Sequence, residues 1–219
     1  MAGTVFSGEK KLAKAGDMLA DDAPLEVRGK DHPWVSRGGI KLDHGLMHFG
    51  FDVTGAVALD VGSSTGGFTD VLLSRGAAKV YAVDVGTNQL AWKLRLDPRV
   101  VVHEQTNARM LDRSIVPEPI DIVVCDASFI SLTKVLKAPL KLAKPGARLV
   151  ALIKPQFEAG RDEVGKGGVV RDPAVHERVC AEIAEWVRSQ GWDVVGITES
   201  PIRGPEGNVE FLLGAVKNG

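Results

Sequence analysis

The stretch ALDVGSSTGGFTD, residues 58–70, decides the fold. It starts as an apolar run, passes through a turn of small residues, and continues into a pattern that predicts the start of a helix. A strand, a glycine-rich turn and a helix in this order are typical of nucleotide-binding α/β folds. The turn predicts a ligand pocket, because glycines permit close approach and the first N–H groups of a helix lack partners.

The spacing of the small residues bears on which cofactor binds. Dinucleotide-binding turns follow G-x-G-x-x-G, and the second glycine lets the backbone approach a pyrophosphate. Here Gly62 and Gly67 hold the outer places, whereas Ser64 holds the middle one. This departure disfavours NAD and favours S-adenosylmethionine, a common ligand without a pyrophosphate. The predicted contacts from this segment are Asp60, Gly62, Ser63, Ser64, Gly66, Gly67, Phe68 and Thr69.

Seven short apolar runs follow one another from residue 55 onward, with helical patterns between most of them. They are AVALDV, KVYAVDV, RVVVHE, IDIVVCD, ARLVALIK, DVVGITE and VEFLLGAV. This alternation predicts an α/β, Rossmann-like fold with a seven-stranded, mostly parallel sheet. Only the loop SPIRGPEGN separates the last two runs, 193–199 and 209–216. A parallel crossover needs about a dozen residues, so the final strand is predicted to be antiparallel.

Length and composition set the limits of the molecule. The chain has 219 residues, 44% of them hydrophobic, and a net charge of −1. These values suit one globular domain with a small appendage, and any nucleic-acid surface must come from local clusters of charge. Two cysteines do not make a disulfide framework, and no apolar run approaches the roughly 18 residues of a membrane span. We therefore expect a cytoplasmic protein without membrane contact.

The first 35 residues differ from the rest. Short β-like pieces, TVFS and LEV, stand in a segment with too little apolar content for an independent core. We predict a small module over residues 1–30, a linker over 31–36 and the main domain over 37–219. The helix that enters the main domain would be SRGGIKLDHGLMHFG, with Ser36 as its N-cap. His44 and His48 have the spacing of a metal site, but no third ligand is recognisable, so no metal is expected.

Polar residues at the strand ends complete the predicted cofactor pocket, because parallel sheets bind ligands at their carboxyl edge. Asp84 ends the second strand, 22 residues after Gly62. An acidic residue at about this offset can accept both ribose hydroxyls of an adenosine; alternatively, Asp84 is a solvated strand-end carboxylate. The next residue, Val85, and Asp126 at the end of IDIVVCD would also contact the cofactor. Asn107 is expected either to bond an adenine edge or to serve as a turn residue.

Four charged residues point to chemistry beside this pocket. They are Lys41, Asp126, Lys154 and Glu210, and two of them directly follow apolar strands. Charged groups in such places need partners. Two neighbouring ammonium groups repel each other, which favours loss of a proton from one of them and so a general base. Carboxylates would hold the lysines in place, and Lys154 would take a hydroxyl proton or stabilise the resulting alkoxide.

The sequence resembles the TlyA family of ribosomal RNA 2′-O-methyltransferases, within the larger FtsJ-like group. The resemblance runs from WVSRGGIKLD to GNVEFLL, residues 34–213. It is carried by SRGGIKL, LDVGSSTGGFTDVLLSRGA, VDVGTNQLAWKLR, QTNAR, DASFISL, KPQFEAGRDEVGKGGVVRDP and SPIRGPEGNVEFLL. It implies a class I methyltransferase fold, S-adenosylmethionine as methyl donor, and a tetrad of Lys41, Asp126, Lys154 and Glu210. The implied substrate is cytidine ribose in 23S ribosomal RNA, with 16S as a second candidate.

The same resemblance bears on RNA binding. GTVFSGEKKLAKAGDMLADDAPLEVRGK, residues 3–30, resembles only the second half of the S-four-type RNA-binding module with which the family begins. The glycine-rich stretch PQFEAGRDEVGKGGVVRDP follows the fifth strand, and long loops at strand ends are usually functional. The predicted RNA contacts are Arg37, Arg161, Lys166 and Arg171. The expected partners are ribosomal RNA and ribosomal subunits.

Two other functions compete with this interpretation. Relatives of TlyA have been named haemolysins. A protein that acts directly on membranes needs an apolar span or an amphipathic tail, and this sequence has neither, which argues against such an activity. A small-molecule methyltransferase or a dehydrogenase could use the same fold, since a fold does not determine a function. The two lysines with two carboxylates argue against a dehydrogenase, which has no need of paired lysines.

Overall fold

The chain folds into two compact units, Met1–Pro33 and Trp34–Gly219. The computed structural model describes residues 5–12, 18–20, 22–27 and 32–219. The first unit contains three short antiparallel strands in the order β2-β1-β3: β1 (Val5–Ser7), β2 (Lys10–Lys11) and β3 (Leu25–Val27). The predicted RNA-binding identity of this segment and the predicted boundaries at residues 30 and 36 stay predictions. Part of the segment lies outside the described residues.

The second unit is built on a seven-stranded sheet. Its strands are β4 (Val57–Val61), β5 (Lys79–Val83), β6 (Val100–His103), β7 (Ile120–Cys125), β8 (Ala143–Ile153), β9 (Trp192–Glu199) and β10 (Phe211–Lys217). Their order is β6-β5-β4-β7-β8-β10-β9. The pairs from β6 to β8 are parallel, whereas β10 is antiparallel to both β8 and β9. The predicted mostly parallel sheet with an antiparallel final strand is confirmed.

Helices cover both faces of this sheet. They are α1 (Gly38–His48), α2 (Gly67–Ser74), α3 (Trp92–Arg95), α4 (Leu132–Val135), α5 (Pro139–Leu142), α6 (Pro155–Glu158) and α7 (Pro173–Ser189). One apolar core joins α1, α2 and α3 to the sheet through residues such as Leu42, Leu72 and Leu94. The other joins α4, α5 and α7 through residues such as Val135, Leu140 and Val179. This double covering explains why the strands are apolar on both faces.

The strand order creates a crevice at the centre of the sheet. From β4 the chain first moves outward to β5 and β6, then returns to β7 and continues through β8 on the opposite side. Sheets of this kind bind ligands at the carboxyl ends of the strands where the order reverses. The loops after β4 and β7 flank that point and touch: a Cβ on Gly62 would lie 2.9 Å from Cα of Ala127.

The start of α1 differs from the prediction. Arg37, not Ser36, is the N-cap residue, and it has helical backbone angles without a side-chain capping bond. The Ser36 hydroxyl instead lies against the start of α2, where a Cβ on Gly67 would be 2.3 Å from its Oγ. The expected N-cap role of Ser36 is therefore wrong. Close packing of α1 on α2 takes its place, and glycine at position 67 makes this packing possible.

Candidate active site

Two adjoining clefts open at the carboxyl edge of the sheet. One measures about 350 Å³ and includes Val83, Asp84, Val85, Thr106 and Ile130 in its lining. The other measures about 520 Å³ and includes the four members of the predicted tetrad. Gly62, Ser64, Asp126, Ser128 and Phe129 line both clefts, so these residues mark the passage between them. We call the first the cofactor cleft and the second the target cleft.

The turn after β4 forms the wall between the clefts. Ser64 adopts a left-handed backbone conformation, with φ of 46°, which is the conformation that glycine favours. Its N–H donates to Oδ2 of Asp84 over 2.8 Å, and the N–H of Gly86 donates to Oδ1 of the same carboxylate over 2.7 Å. Asp84 therefore fixes the turn as well as lining the cofactor cleft. The predicted contact with ribose hydroxyls remains a prediction.

The predicted cofactor residues divide into two groups. Those that line a cleft are Gly62, Ser63, Ser64, Gly67, Phe68, Asp84, Val85 and Asp126. Asp60, Gly66 and Thr69 lie outside both linings. Gly66 is needed for packing, because a Cβ there would lie 2.3 Å from Cδ1 of Leu94. Asn107 caps the helical turn Ala108–Met110 by accepting from the N–H of Arg109, which is the turn role considered from the sequence.

Asp60 is the most deeply buried acid beneath this turn. It has no exposed surface, and its Oδ2 accepts from the Thr69 hydroxyl over 2.6 Å. Its Oδ1 is buried without a hydrogen-bond partner in the described part of the chain. Burial raises the pKa of Asp60 to about 7; the Thr69 hydroxyl opposes the rise, and the negative charges of Asp126 and Asp84 add to it. Asp60 and Thr69 thus support the turn from behind.

The target cleft contains two lysine–carboxylate pairs. Nζ of Lys41 lies 2.5 Å from Oε2 of Glu210, and the two residues are 7% and 2% exposed. Nζ of Lys154 lies 2.7 Å from Oδ1 of Asp126, and its residue is 7% exposed. The second contact is an ion pair. All four predicted catalytic residues therefore line one cleft.

The sheet explains why these residues meet. Asp126 and Lys154 directly follow the carboxyl ends of β7 and β8, and Glu210 directly precedes β10. Because β10 runs antiparallel and Phe211 pairs with Ile153, the start of β10 reaches the same edge as the end of β8. Helix α1 carries Lys41 over this edge, and it packs so closely that a Cβ on Gly45 would lie 3.1 Å from Val150.

Lys154 has further contacts that hold its ammonium group. It donates to Oγ of Ser128 over 2.8 Å and to the backbone carbonyl of Asp126 over 3.4 Å. Ser128 lies between the two clefts. The position of Nζ is therefore set by three groups on the loop after β7.

Cys125, the last residue of β7, is fully buried, and burial raises the pKa of its thiol to about 12. Its thiol is therefore protonated at neutral pH and does not act as a thiolate.

An aromatic pair lines the target cleft beside these ion pairs. Phe129 is 90% exposed and has a positive φ of 62°, an unusual conformation for a bulky residue. Its ring centroid lies 5.0 Å from that of Phe157. Strained backbone and an exposed aromatic ring together indicate a functional position. The pair offers an apolar face to a ligand in the target cleft.

The glycine-rich loop after β8 is tied to the loop before β10. The Asn208 side chain, 2% exposed, accepts from the N–H of Val170 over 3.0 Å and donates to the carbonyl of Gly168 over 2.9 Å. Gly168 and Asn208 both line the target cleft. This connection places one end of the loop at the cleft.

The predicted RNA-binding residues occupy different places. Arg37 lines the target cleft and donates to the carbonyl of Arg203 over 3.4 Å. Arg161, Lys166 and Arg171 are exposed but lie outside the lining of that cleft. Arg171 instead lines a separate groove beside α7. A role of these three residues in binding RNA stays a prediction about the surface around the cleft.

Sequence reasoning gave no role to several residues of the target cleft. They are Ser128, Phe129, Gln156, Phe157, Arg203 and Asn208. Four of them lie within three residues of Asp126 or Lys154 in the chain. That proximity was the available signal, because residues that continue a strand end into its loop tend to line the same crevice.

Comparison with known proteins identifies the relatives of this chain. Residues 34–217 match the FtsJ-like methyltransferase family. The chain is 48% identical over 213 residues to the 16S/23S rRNA (cytidine-2′-O)-methyltransferase TlyA of Mycobacterium tuberculosis (strain ATCC 25618 / H37Rv), covering 97% of this chain and 80% of the relative. It is also 48% identical over 214 residues to YqxC of Bacillus subtilis (strain 168), provisionally named an rRNA methyltransferase, covering 97% of this chain and 76% of YqxC.

A solved structure agrees with these matches. A Streptococcus thermophilus protein, provisionally named a hemolysin, superposes with a TM-score of 0.87 at 43% identity, covering 100% of this chain and 80% of that one. The methyltransferase fold predicted from the sequence is thereby confirmed. The resemblance to TlyA and the FtsJ-like group is confirmed with it.

Proposed function

Because the chain belongs to the FtsJ-like methyltransferase family, we propose that it methylates the ribose 2′-hydroxyl of cytidine in ribosomal RNA, using S-adenosylmethionine as donor. The substrate would be 23S RNA, with 16S RNA as a second candidate. One observation carries this proposal: the pairs Lys41–Glu210 and Lys154–Asp126 line a cleft that adjoins a nucleoside-sized one.

The cofactor cleft suits an adenosine with an attached amino acid. Its apolar lining, including Val83, Val85 and Ile130, can hold a flat base. Among the described residues, two acids line this cleft: Asp84, and Asp126, which it shares with the target cleft. Such a combination of apolar walls and few polar groups is typical of cofactor sites. The turn Gly62–Gly66 leads into α2, whose first N–H groups suit a carboxylate. Bound S-adenosylmethionine supplies an electrophilic methyl group.

The residues of the target cleft would then activate the ribose. A 2′-hydroxyl that attacks a methyl carbon must lose its proton during the reaction. Lys154 is suited to stabilise the developing alkoxide, because Asp126 and Ser128 hold its buried ammonium group in the cleft. To receive the hydroxyl proton as a general base, it would first pass a proton to its partner Asp126. Lys41 adds a second positive charge in the same cleft, and Glu210 balances it.

The exposed aromatic pair supports an RNA substrate. Proteins that recognise single-stranded RNA stack unpaired bases on aromatic side chains. Phe129 and Phe157 line the cleft that holds the tetrad. A base stacked on this pair would bring its own ribose toward Lys154. The relative TlyA of M. tuberculosis is named for cytidine in 16S and 23S rRNA, and this name supports the choice of base and RNA.

The name hemolysin among the relatives raises a membrane activity as the alternative. Within the described residues, no helix combines the length and the apolar character needed to cross a membrane. A ribosomal substrate would place the reaction in the cytoplasm. The paired lysines and carboxylates can activate a hydroxyl for methyl transfer. Their geometry suggests no role in disrupting a membrane.

The test uses purified protein, labelled S-adenosylmethionine and each ribosomal subunit from cells that lack this enzyme. We expect label in one or both ribosomal RNAs, at a cytidine whose 2′-O-methyl group resists alkaline hydrolysis. Calorimetry should show binding of S-adenosylmethionine and weaker binding or none of NAD. Label found on a base, on a ribosomal protein or only on small molecules would contradict the proposal.

A further inference from the structure

Among the described residues, one buried side-chain acceptor of the target cleft has neither a hydrogen bond nor an ion pair. Lys41, Glu210, Lys154 and Asn208 all have hydrogen bonds or ion pairs there. Gln156 lines the same cleft, yet its Oε1 is buried without a hydrogen-bond donor in the part of the chain that the structure describes. Buried polar atoms are nearly always bonded, so an orphaned acceptor at a binding cleft calls for an explanation.

The position of Gln156 is well defined by its neighbours. It lies on α6, two residues after Lys154 and directly before Phe157. The helix is anchored, because Glu158 accepts a hydrogen bond from the N–H of Leu132 over 2.7 Å. Phe157 in turn pairs with the exposed Phe129. A base that stacks on this aromatic pair therefore lies beside a residue with an unused carboxamide.

The chemistry of a carboxamide matches the edge of a nucleobase. Glutamine has an acceptor oxygen and a two-proton donor nitrogen side by side. Cytosine presents the complementary pair, an exocyclic amine that donates and a ring nitrogen that accepts. The terminal torsion of glutamine is broad, so rotation can turn Oε1 toward a base in the cleft. Single-stranded RNA is commonly recognised by such bonds to the base edge, combined with stacking.

We infer that Gln156 is a specificity-determining residue that bonds the edge of the target base, with Oε1 accepting from the exocyclic amine of cytosine. The inference rests on the proposed function, since it assigns a recognition role within the same reaction. Gln156 would bind the edge of the base, whereas the lysine–carboxylate pairs would carry out the transfer.

The test compares Gln156→Leu with the unchanged protein on ribosomal subunits assembled with cytidine, uridine or a 2-pyrimidinone riboside at the methylated position. The 2-pyrimidinone base lacks the exocyclic amine and keeps the ring nitrogen. We expect Gln156→Leu to lower kcat/KM on cytidine by about tenfold or more, the usual size of a lost base contact. On 2-pyrimidinone the loss caused by Gln156→Leu should be clearly smaller, because the bond from the amine is already missing and only the bond to the ring nitrogen can still be lost.

Two controls separate base recognition from folding. Gln190→Leu changes the glutamine that ends α7, remote from the clefts, and should leave all three rates unchanged. The melting temperature and the affinity for S-adenosylmethionine of Gln156→Leu should stay close to those of the unchanged protein.

Two results would overturn the inference. One is full activity of Gln156→Leu on cytidine; the other is an equal loss on all three substrates, which would indicate a structural role. If the unchanged protein methylates no ribosomal cytidine, the proposed function itself fails, and this outcome is distinct from the other two.

Discussion

The cofactor cleft and the target cleft are built in different ways. Most of the first comes from three short segments, residues 62–64, 83–89 and 126–130. The Asp84 side chain joins the first two by accepting from the N–H groups of Ser64 and Gly86. The tetrad of the second comes from α1 and from the ends of three strands. Its first and last members, Lys41 and Glu210, are 169 residues apart in the chain. Buried ion pairs join Lys41 to Glu210 and Lys154 to Asp126. One carboxylate fixes the turn of the cofactor cleft, whereas the buried charge cluster of the target cleft needs the whole sheet.

This difference predicts where substitutions have most effect. Removing one partner of a buried ion pair leaves an uncompensated charge, at a cost of about 3–5 kcal/mol. In the cofactor cleft, removing the Asp84 carboxylate would leave two backbone N–H groups unpaired, at a smaller cost of about 1–3 kcal/mol. Substitutions in the target cleft should therefore affect turnover, and those in the cofactor cleft should affect affinity for the donor.

The largest expected effect is that of Lys154→Ala. Loss of a general base typically lowers the rate by about 10²–10⁴-fold, while affinity for S-adenosylmethionine should change by no more than a few-fold, because the cofactor cleft does not include this side chain. Single-turnover methylation and calorimetry measure the two quantities. Lys144→Ala is the matched control, since Lys144 also pairs with an aspartate, Asp121, outside both clefts. Retained turnover in folded Lys154→Ala protein would remove Lys154 from the mechanism.

The next effect concerns stability and Asp60. Its pKa rises from 3.8 in the unfolded chain to about 7 in the folded one, so the folded state binds the proton more tightly. The free energy of unfolding should then fall as pH rises from about 4 to about 7 and level off above that, by roughly 2–4 kcal/mol in total. Asp60→Asn should remove this slope and be more stable than the unchanged protein at pH 8.

Urea denaturation at pH 5 and pH 8 checks the Asp60 prediction. The two proteins should differ clearly at pH 8 and much less at pH 5. An equal difference at both values would show that the amide changes packing and that the buried charge is not the cause.

Asp84→Ala should act on cofactor binding. Removing a partner from buried polar groups costs about 1–3 kcal/mol, so the affinity for S-adenosylhomocysteine should fall accordingly. A ligand that lacks the ribose hydroxyls distinguishes the two possible roles of Asp84. If Asp84 bonds the ribose, the variant and the unchanged protein should bind this ligand alike. If it only fixes Ser64 and Gly86, the loss should persist.

The smallest effect is expected at Asn208, which connects two loops of the target cleft. Asn208→Ala removes two hydrogen bonds and should lower local stability by about 1–2 kcal/mol. Amide exchange over residues 165–171 should become faster, and KM for the ribosomal subunit should rise more than kcat falls. Asn218→Ala, near the C-terminus, serves as the control. Unchanged exchange in this loop would contradict the clamping role.

The clefts also differ in how far they could be predicted. The turn at residues 62–64 and the carboxylate of Asp84 were predicted from local spacing, and both line the cofactor cleft. The members of the tetrad were found as charges at strand ends and by resemblance. Their pairing, Lys41 with Glu210 and Lys154 with Asp126, depends on the register of β10 against β8 and was not predictable. Ser36 shows the same limit, since contact with Gly67 replaced the expected cap.

The sequence by itself determined the class of fold and the place of the cofactor turn. Both follow from short-range features: the alternation of apolar runs with helical patterns, and glycines at fixed spacing. Tertiary structure alone decided that Asp60 and Thr69 support the turn from behind, that Ser128 positions Lys154, and that Gln156 has an unpartnered amide in the cleft. These properties depend on burial and on contacts between distant segments, which exist only once the sheet has brought those segments together.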